Sequence, residues 1–193
     1  MEKMTYNQYT KKYIVDALCI LLENERFSDI TVKEIVEKAG VGRATFYRNF
    51  KDKEDVLTYK FEEIADQFSI RDEAKTKEHL YYALAKILFI LQNNKKLMKN
   101  IFRSNVEYLY FNFLNSGMKC LIQEKANINN SYAHLGYSGA LYNITKEWIN
   151  GDCLGDMIEV IDALFMVFTG GEKMDNVEMK QTMINEAMSE TKK

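Results

Sequence analysis

Apolar residues recur every three to four positions over most of this sequence, which is the period of a helix with one buried face. Near the N-terminus the pattern predicts an amphipathic helix through Tyr13, Ile14, Ala17, Leu18, Leu21 and Leu22. A second run starts at Lys53 and continues through Val56, Leu57, Phe61, Ile64, Ala65 and Phe68. This second run predicts one helix that links the N-terminal part to everything downstream.

Six further helices are predicted downstream of that link, at 77–93, 95–104, 106–127, 131–150, 155–169 and 175–189. The 193 residues include no proline and only nine glycines, although average usage would give about ten prolines. Proline breaks helices and glycine weakens them, so their scarcity favours long, uninterrupted helices. The predicted fold class is all-α, with an N-terminal three-helix domain and a larger C-terminal helical domain.

The stretch between Ile30 and Leu57 carries the signals of two short helices joined by a tight turn. Thr31 and Glu34 have the T-x-x-E spacing of a capping box, in which each side chain satisfies a backbone N–H of the other residue. Gly40 ends the first helix, because glycine readily adopts the left-handed conformation common after a helix. Only two residues then precede the second helix, and helices joined so tightly cross steeply.

The second of these helices, at about 42–50, is predicted to bury Val41, Phe46 and Phe50 and to expose the opposite face. The exposed residues of this helix, and those at the starts of the helices before and after it, are small, hydroxyl-bearing or basic, as in a DNA interface. The candidate DNA-binding residues are Thr31, Gly42, Arg43, Ala44, Thr45, Tyr47, Arg48 and Lys53.

These candidates divide into base-reading and phosphate-contacting positions. The small Ala44 permits close approach to the major groove, where Arg43 supplies hydrogen-bond donors to base edges. Thr45, Tyr47 and Arg48 are expected to reach phosphates. Lys53 and Thr31 are expected to do so at the starts of their helices, where the helix dipole favours anions. The alternative for Arg48 and Lys53 is an ordinary solvated charge.

The residues TVKEIVEKAGVGRATFYRNFKDKEDVL resemble the DNA-binding domain of the tetracycline-repressor (TetR) family of bacterial transcription regulators. The resemblance covers about residues 10–60 and includes the A-G-V turn and the T-F-Y-x-x-F recognition helix. Members commonly have serine where this chain has Gly42, so the recognition helix lacks a side-chain cap and a backbone amide is expected to replace the phosphate contact. Glycine at a cap costs only a few tenths of a kcal/mol.

The family resemblance implies a repressor that binds an inverted-repeat operator in double-stranded DNA as a homodimer and is released by a small-molecule effector. Residues 1–55 are then the DNA-binding domain, and residues 56–193 the regulatory and dimerisation domain. The net charge of −2 is poor for DNA binding, but 41–53 carry four basic residues against the single Asp52. So small a basic patch suits a dimer that reads a specific site.

The cysteines and the apolar runs indicate a protein of the cytoplasm. Cys19, Cys120 and Cys153 are widely spaced and odd in number, so neither a disulfide framework nor a zinc site is expected. The N-terminus lacks the apolar core of a signal peptide, and the apolar runs are too short to span a bilayer. We expect no membrane partner and no cofactor.

Residues 137–161 resemble the C-terminal domain of a TetR subgroup that includes regulators of dihydroxyacetone kinase operons. The similarity rests on Gly139, Trp148, Ile149 and Gly151, and it suggests a dimerisation region. The helices at 131–150 and 155–169 carry more apolar residues than one chain's core needs, so we expect a four-helix bundle with a second copy. The predicted interface residues are Gly139, Leu141, Ile144, Trp148, Ile158, Ile161 and Phe165.

The family also implies a ligand pocket in the C-terminal domain, and the aromatic residues there are numerous enough to line one. The candidate ligand-binding residues are Tyr81, Phe89, Phe102, Tyr108, Phe111 and Tyr137. The alternative is a plain aromatic core, because spacing such as that of Tyr108 and Phe111 is also what helix packing requires.

Two other classes of function compete with that of a ligand-controlled regulator. An enzyme is not expected, because the sequence has no P-loop, no H-E-x-x-H and no G-x-S-x-G. A helix-turn-helix coactivator or adaptor, controlled by a partner protein instead of a metabolite, is the alternative, since the subgroup includes coactivator-type members. The intact Arg43, Thr45, Tyr47 and Lys53 argue that DNA reading remains.

Overall fold

The computed structural model describes residues 5–67, 76–125 and 132–191. All the regular structure in these ranges is helical, which confirms the predicted all-α fold. The N-terminal half contains α1 (Tyr6–Leu21), α2 (Val32–Ala39), α3 (Arg43–Asn49), α4 (Lys53–Asp66) and α5 (Lys77–Asn93). The rest contains α6 (Lys95–Arg103), α7 (Glu107–Lys125), α8 (Ala133–Asn150), α9 (Met157–Thr169) and α10 (Val177–Thr191).

The first three helices form the N-terminal unit around a core from α1. Thr5 starts α1 with a capping box to Gln8, and Ile14, Val15 and Leu18 are fully buried. The predicted stripe differs at two places, because Tyr13 is 56% exposed on the outer face of the helix and Val15, which the stripe left out, is fully buried. The periodicity therefore located the helix but misplaced one edge of its buried face.

The predicted signals of the short helices are confirmed. Thr31 and Glu34 form the reciprocal capping box, with Glu34 Oε2 2.7 Å from both the backbone N and the hydroxyl of Thr31. Those hydrogen bonds lower the pKa of Glu34. Gly40 ends α2 in the left-handed region with φ of 67°, a conformation that costs other residues free energy.

Helix α4 connects the N-terminal unit to the rest of the chain. Asp52 caps it by accepting the Asp55 N–H at 2.8 Å. Its buried side contains Val56, Leu57, Phe61 and Ile64, and the helix packs against both α1 and α7. The predicted continuation to Phe68 lies outside the described residues. Because α4 belongs to both packing units, the division at residue 55 stays a prediction.

The C-terminal helices pack side by side, with α5 against α9 and α10, α7 against α8, and α8 against α9. A polar network joins three of them, in which the Tyr81 hydroxyl donates to Asp162 at 3.0 Å and Lys180 donates to the other carboxylate oxygen at 2.7 Å. The predicted bounds of α5 match the structure, whereas the predicted end at 127 and start at 131 lie outside the described residues. Within the described ranges, none of the helices has the length and apolar character to cross a membrane.

Candidate DNA interface and regulatory cavity

The recognition helix α3 is anchored by two aromatic side chains. Phe46 is fully buried and Phe50 nearly so, and their ring centroids lie 6.2 Å apart. Phe46 also meets the ring of Tyr47 edge to face at 5.3 Å. Aromatic pairs of this kind add to the stability given by burial alone. Phe50 also packs on the ring of Tyr59 in α4, with ring centroids 5.6 Å apart, and lies 5.6 Å from the ammonium of Lys11 in α1, so it ties the short helix to both.

The opposite side of α3 faces solvent with polar and small side chains. Arg43, Ala44, Arg48 and Tyr47 are exposed, the last at 59%, and Thr45 is half-buried. Thr45 also takes part in the helix C-terminus, because its carbonyl accepts the Asn49 Nδ2 donor at 2.7 Å. The structure therefore places the predicted candidates of this helix on one outer surface that a DNA groove could meet.

The start of α3 has no side-chain cap, because Gly42 is its N-cap residue. A β-carbon added at Gly42 would meet nothing within 4 Å, and its φ of −82° suits any residue. Glycine is therefore not required here by the fold. Thr31, at the start of α2, is exposed, and its hydroxyl is already bonded to Glu34.

Lys53 differs from its predicted position in an open phosphate site. Its ammonium donates to the carbonyl oxygens of Phe27 at 2.6 Å, Ile30 at 2.7 Å and Ser28 at 3.2 Å. It also lies 4.6 Å from the centre of the Phe27 ring. An ammonium has three N–H donors and no acceptor, so these carbonyls use all of them.

The segment between α1 and α2 is also bonded to the C-terminal domain. The Asn100 side-chain amide on α6 donates to the carbonyls of Leu22 and Glu25, at 2.7 Å each. The neighbouring Ser104 hydroxyl accepts the Phe27 N–H at 3.2 Å. Sequence reasoning missed both residues, because a polar pair at i and i+4 on a surface helix has no local signature of a distant partner.

The C-terminal domain contains an apolar cavity of about 170 Å³ between α4, α5, α6, α7 and α8. Its lining residues are Phe61, Ile64, Ala65, Ile87, Leu91, Met98, Tyr110, Phe113, Leu114, Gly117, Met118, Leu121 and Leu141. Tyr110 has the only hydroxyl among them, and burial raises its pKa to about 12, so it stays neutral. The cavity therefore suits an apolar ligand.

None of the six predicted ligand-binding residues lines this cavity. Tyr81 is buried in the polar network with Asp162, Phe89 is in the core, and Tyr137 packs on Phe168 with ring centres 5.0 Å apart. The ligand set predicted by aromatic type thus does not coincide with the cavity. Most side chains that line the cavity are aliphatic or methionine. The prediction considered only aromatic residues and therefore missed them.

The other three candidates lie beside the cavity or at the junction between the domains. Phe102 packs on Tyr110 at 6.0 Å between ring centres, and Phe111 packs on Tyr142 at 5.1 Å. Tyr108 is 45% exposed, and its hydroxyl donates to Glu54 in the first turn of α4 at 2.7 Å. Tyr108 thus joins α7 to the helix that carries Lys53.

The predicted dimer residues differ in how far the chain's own packing covers them. Leu141, Trp148, Ile161 and Phe165 are each at most 6% exposed and lie in the core of the chain itself. Gly139, Ile144 and Ile158 are half-buried. The sequence shows an apolar stripe on each helix but not which part of it the chain's own packing covers. The exposed apolar side chains of α8 and α9 are instead Leu135, Met166 and Val167.

The helix pair α2–α3, with an exposed basic recognition helix and a linking α4, defines a helix-turn-helix protein of the DNA-binding class. Residues 14–59 match the family model of bacterial regulatory proteins of the tetR family. Residues 14–59 therefore form a DNA-binding domain of the TetR type, as the sequence predicted.

Comparisons over most of the chain agree with this assignment. The fatty acid metabolism regulator protein of Bacillus subtilis (strain 168) is 24% identical over 180 residues, which cover 82% of this chain and 93% of that protein. The TetR transcriptional regulator from Streptococcus agalactiae 2603V is a structural neighbour with a TM-score of 0.60 and 24% identity, over 83% of this chain and 94% of that chain. Because these relatives are regulators, the prediction that the chain is not an enzyme is confirmed.

The similarity expected in the C-terminal half is present at the level of the fold. The dihydroxyacetone kinase operon activator DhaS has a TM-score of 0.52 and 21% identity, over 95% of this chain and 96% of that chain. Such a likeness shows that the two chains share an arrangement of helices, and it assigns no ligand to this one.

Proposed function

We propose that this chain is a homodimeric repressor that reads an inverted-repeat operator and is released by a small molecule with an apolar chain. The exposed face of α3, held on Phe46 and Phe50, is the observation that carries the proposal. A recognition helix must present polar donors outward from a rigid support, since misplaced donors lose base discrimination.

The proposed DNA contacts follow from position and chemistry. Arg43 at the first turn of α3 donates to base edges, and Ala44 permits the backbone to approach the groove. Thr45, Tyr47 and Arg48 contact phosphates, which fix the register without reading sequence. Thr31 and Gly42, which are exposed at the starts of α2 and α3, lie against the sugar-phosphate backbone.

The second copy is proposed to pack on the exposed side of α8 and α9. Leu135 on α8 is 44% exposed, and Met166 and Val167 on α9 are 38% and 43% exposed. Gly136 and Gly139 have nothing within 4 Å of an added β-carbon, so packing within the chain does not explain these helical glycines. Glycine in a helix costs up to about 1 kcal/mol relative to alanine, and close approach of a partner helix offsets such a cost.

The apolar cavity supports the proposed class of effector. Its walls offer carbon and sulfur surface and one neutral phenol, which disfavours a charged or highly polar ligand. One relative is named for fatty acid metabolism, and an acyl chain meets the chemistry of this wall. Because α4 and α6 both contribute to the wall, an effector would bear directly on the helices that hold the DNA-binding unit.

Selection of bound sites from a random duplex pool tests the proposal. We expect enrichment of an inverted repeat whose half-sites lie about 34–36 Å apart, as two-fold symmetric helix-turn-helix dimers require. Arg43→Ala should cost about 1–3 kcal/mol on that operator and relax the preference at one base pair, whereas Tyr47→Ala should weaken operator and random duplex alike. Equal losses on both duplexes for Arg43→Ala would contradict the base-reading role.

The effector is tested with the selected operator and saturated fatty acids of increasing chain length. Binding in the cavity should lower operator affinity by about 5- to 150-fold, the usual range of coupling between two sites. If the operator is bound but no such compound releases it, the effector assignment fails and the alternative of control by a partner protein is favoured. If no sequence enriches, the DNA-binding proposal itself fails.

A further inference from the structure

Lys53 occupies a place in the fold that its sequence context does not indicate. It is the first residue of α4, where helix dipole and positive charge would together favour a phosphate. Its ammonium instead points into the turn between α1 and α2, with the carbonyls of Phe27, Ser28 and Ile30 as hydrogen-bond acceptors. An added phosphate would have to displace at least one of these carbonyls.

We propose that Lys53 is a positioning residue that fixes residues 27–30, and through them the start of α2, and that it is not a phosphate ligand. The inference rests on the DNA-binding function proposed above. Thr31, which caps α2, directly follows the last carbonyl that Lys53 holds. Because α2 carries α3 through the Gly40 turn, a shift of this segment would displace the recognition helix.

The segment that Lys53 holds needs such a partner. Phe27 and Ile30 are buried, at 2% and 1% exposed, but the residues between α1 and α2 form no regular helix. The carbonyls of Phe27 and Ile30 are partly buried and that of Ser28 is exposed, and a carbonyl withdrawn from water costs free energy unless a donor satisfies it. One ammonium supplies three donors from a single point, which matches three carbonyls that converge on it.

The electrostatic surroundings of Lys53 also differ from those of an open anion site. Burial is the largest influence on its pKa and lowers it, while the nearby carboxylates of Glu54, Asp29 and Glu34 act in the opposite direction. Three negative groups around one ammonium weaken its attraction for a further anion. By contrast, Arg48 projects into solvent from the recognition helix.

Two substitutions of Lys53 separate positioning from phosphate contact. Lys53→Arg keeps the charge and would serve a phosphate well, but a planar guanidinium does not fit three carbonyls around one point. Lys53→Met removes the charge and keeps most of the apolar stem. Arg48→Met is the matched control, since we propose that Arg48 contacts a phosphate.

The measurement is operator affinity as a function of salt concentration, under conditions in which urea unfolding shows each variant to be folded. Each phosphate contact contributes about 0.9 to the slope of log affinity against log salt. We expect Arg48→Met to reduce the slope by about that amount. Both Lys53 variants should keep the wild-type slope and lose about tenfold or more in operator affinity, which corresponds to about 1.4 kcal/mol.

The ratio of operator to random-duplex affinity separates positioning from a role in stability alone. Loss of stability alone would leave this ratio unchanged in the folded protein, whereas a displaced recognition helix should lower it in both Lys53 variants. An unchanged ratio, a wild-type affinity for Lys53→Arg, or a reduced slope for Lys53→Met overturns the inference. Failure of the wild-type protein to bind any operator would instead overturn the proposed function.

A measurement on the unaltered protein covers the case in which the variants do not fold. The ammonium signal of Lys53, labelled with nitrogen-15, should be protected from exchange with water in the free protein. It should remain unchanged when operator is added. Rapid exchange in the free protein, or a large change of this signal on operator binding, would contradict the three-carbonyl site.

Discussion

The recognition helix and the cavity are built in opposite ways. In α3 the polar side chains face outward and two phenylalanines form the support, whereas in the second domain apolar side chains from five helices face inward. The functional face of α3 lies within seven consecutive residues. The cavity draws on residues from Phe61 to Leu141. A site made by local sequence therefore depends on a few anchors, and a site made by long-range packing depends on many small contributions.

The largest expected effect comes from removing an anchor of the recognition helix. Phe46→Ala should lower the free energy of unfolding by about 3–5 kcal/mol, because Phe46 is fully buried and the truncation leaves a cavity. Urea unfolding followed by circular dichroism measures this loss. Tyr47→Ala, one residue further and 59% exposed, should lower the free energy of unfolding by only about 0.5–1.5 kcal/mol, because it loses the ring contact with Phe46 but leaves no cavity. Equal losses in the free energy of unfolding for the two variants would contradict the distinction between the buried support of α3 and its exposed face.

The next effect concerns the contact between the two regions. Asn100→Ala removes two hydrogen bonds to the carbonyls of Leu22 and Glu25, and a third that Asn100 Oδ1 accepts from the Ser104 hydroxyl. At about 0.5–1.5 kcal/mol each, their loss should lower the free energy of unfolding by about 1.5–4.5 kcal/mol. Lys96→Ala is the control, since the Lys96 side chain is 80% exposed and its ammonium makes only a loose ion pair with Glu23, at 3.9 Å from the carboxylate oxygen. Such a surface pair contributes about 0–1 kcal/mol, so an equal effect of both variants in urea unfolding would contradict the junction.

Filling the cavity should have a smaller effect of the opposite sign. Ala65 on α4 lines the cavity, and Ala65→Leu should raise the free energy of unfolding by about 0.5–2 kcal/mol, as cavity-filling substitutions commonly do. Ala44→Leu on the exposed face of α3 makes the same chemical change without a cavity to fill. It should stay within about 0.5 kcal/mol of wild type. A loss of stability for Ala65→Leu in thermal or urea unfolding would show that this wall is already packed.

The smallest expected effect is at the start of the recognition helix. Gly42→Ser should raise the free energy of unfolding by a few tenths of a kcal/mol, because a serine hydroxyl can accept an N–H at the first turn. Space is available, since nothing lies within 4 Å of an added β-carbon. Gly40→Ser is the control and should cost about 1–2 kcal/mol, because Gly40 has a φ of 67°. Stabilisation by both serines would contradict the different roles of the two glycines.

The N-terminal unit could be predicted closely from sequence because its determinants are local. Thr31 and Glu34 are three residues apart, and Gly40 needs only its own backbone conformation to end the helix. The buried positions of Phe46 and Phe50 follow from the helical period. These features involve neighbours along the chain, which a sequence displays directly.

The features that escaped prediction depend on which distant residue arrives at a given place. The position of Lys53 in the turn is set by three carbonyls more than twenty residues away. Leu141 and Trp148 belong to apolar stripes, but only the packing of the other helices decides that they are inside. The periodicity of a helix defines its faces and leaves open which neighbour covers each face.

The apolar wall of the cavity determines how the site would discriminate between chemically similar ligands. The wall contains one phenol and no charged group that could recognise a head group. Binding affinity can therefore depend only on the volume of hydrocarbon that the ligand buries. Each methylene that leaves water contributes about 0.8 kcal/mol, or about a fourfold change in affinity. If the proposed effector binds here, the cavity would discriminate among acyl chains by length and would respond in graded fashion to a whole class of metabolites, without selecting one compound.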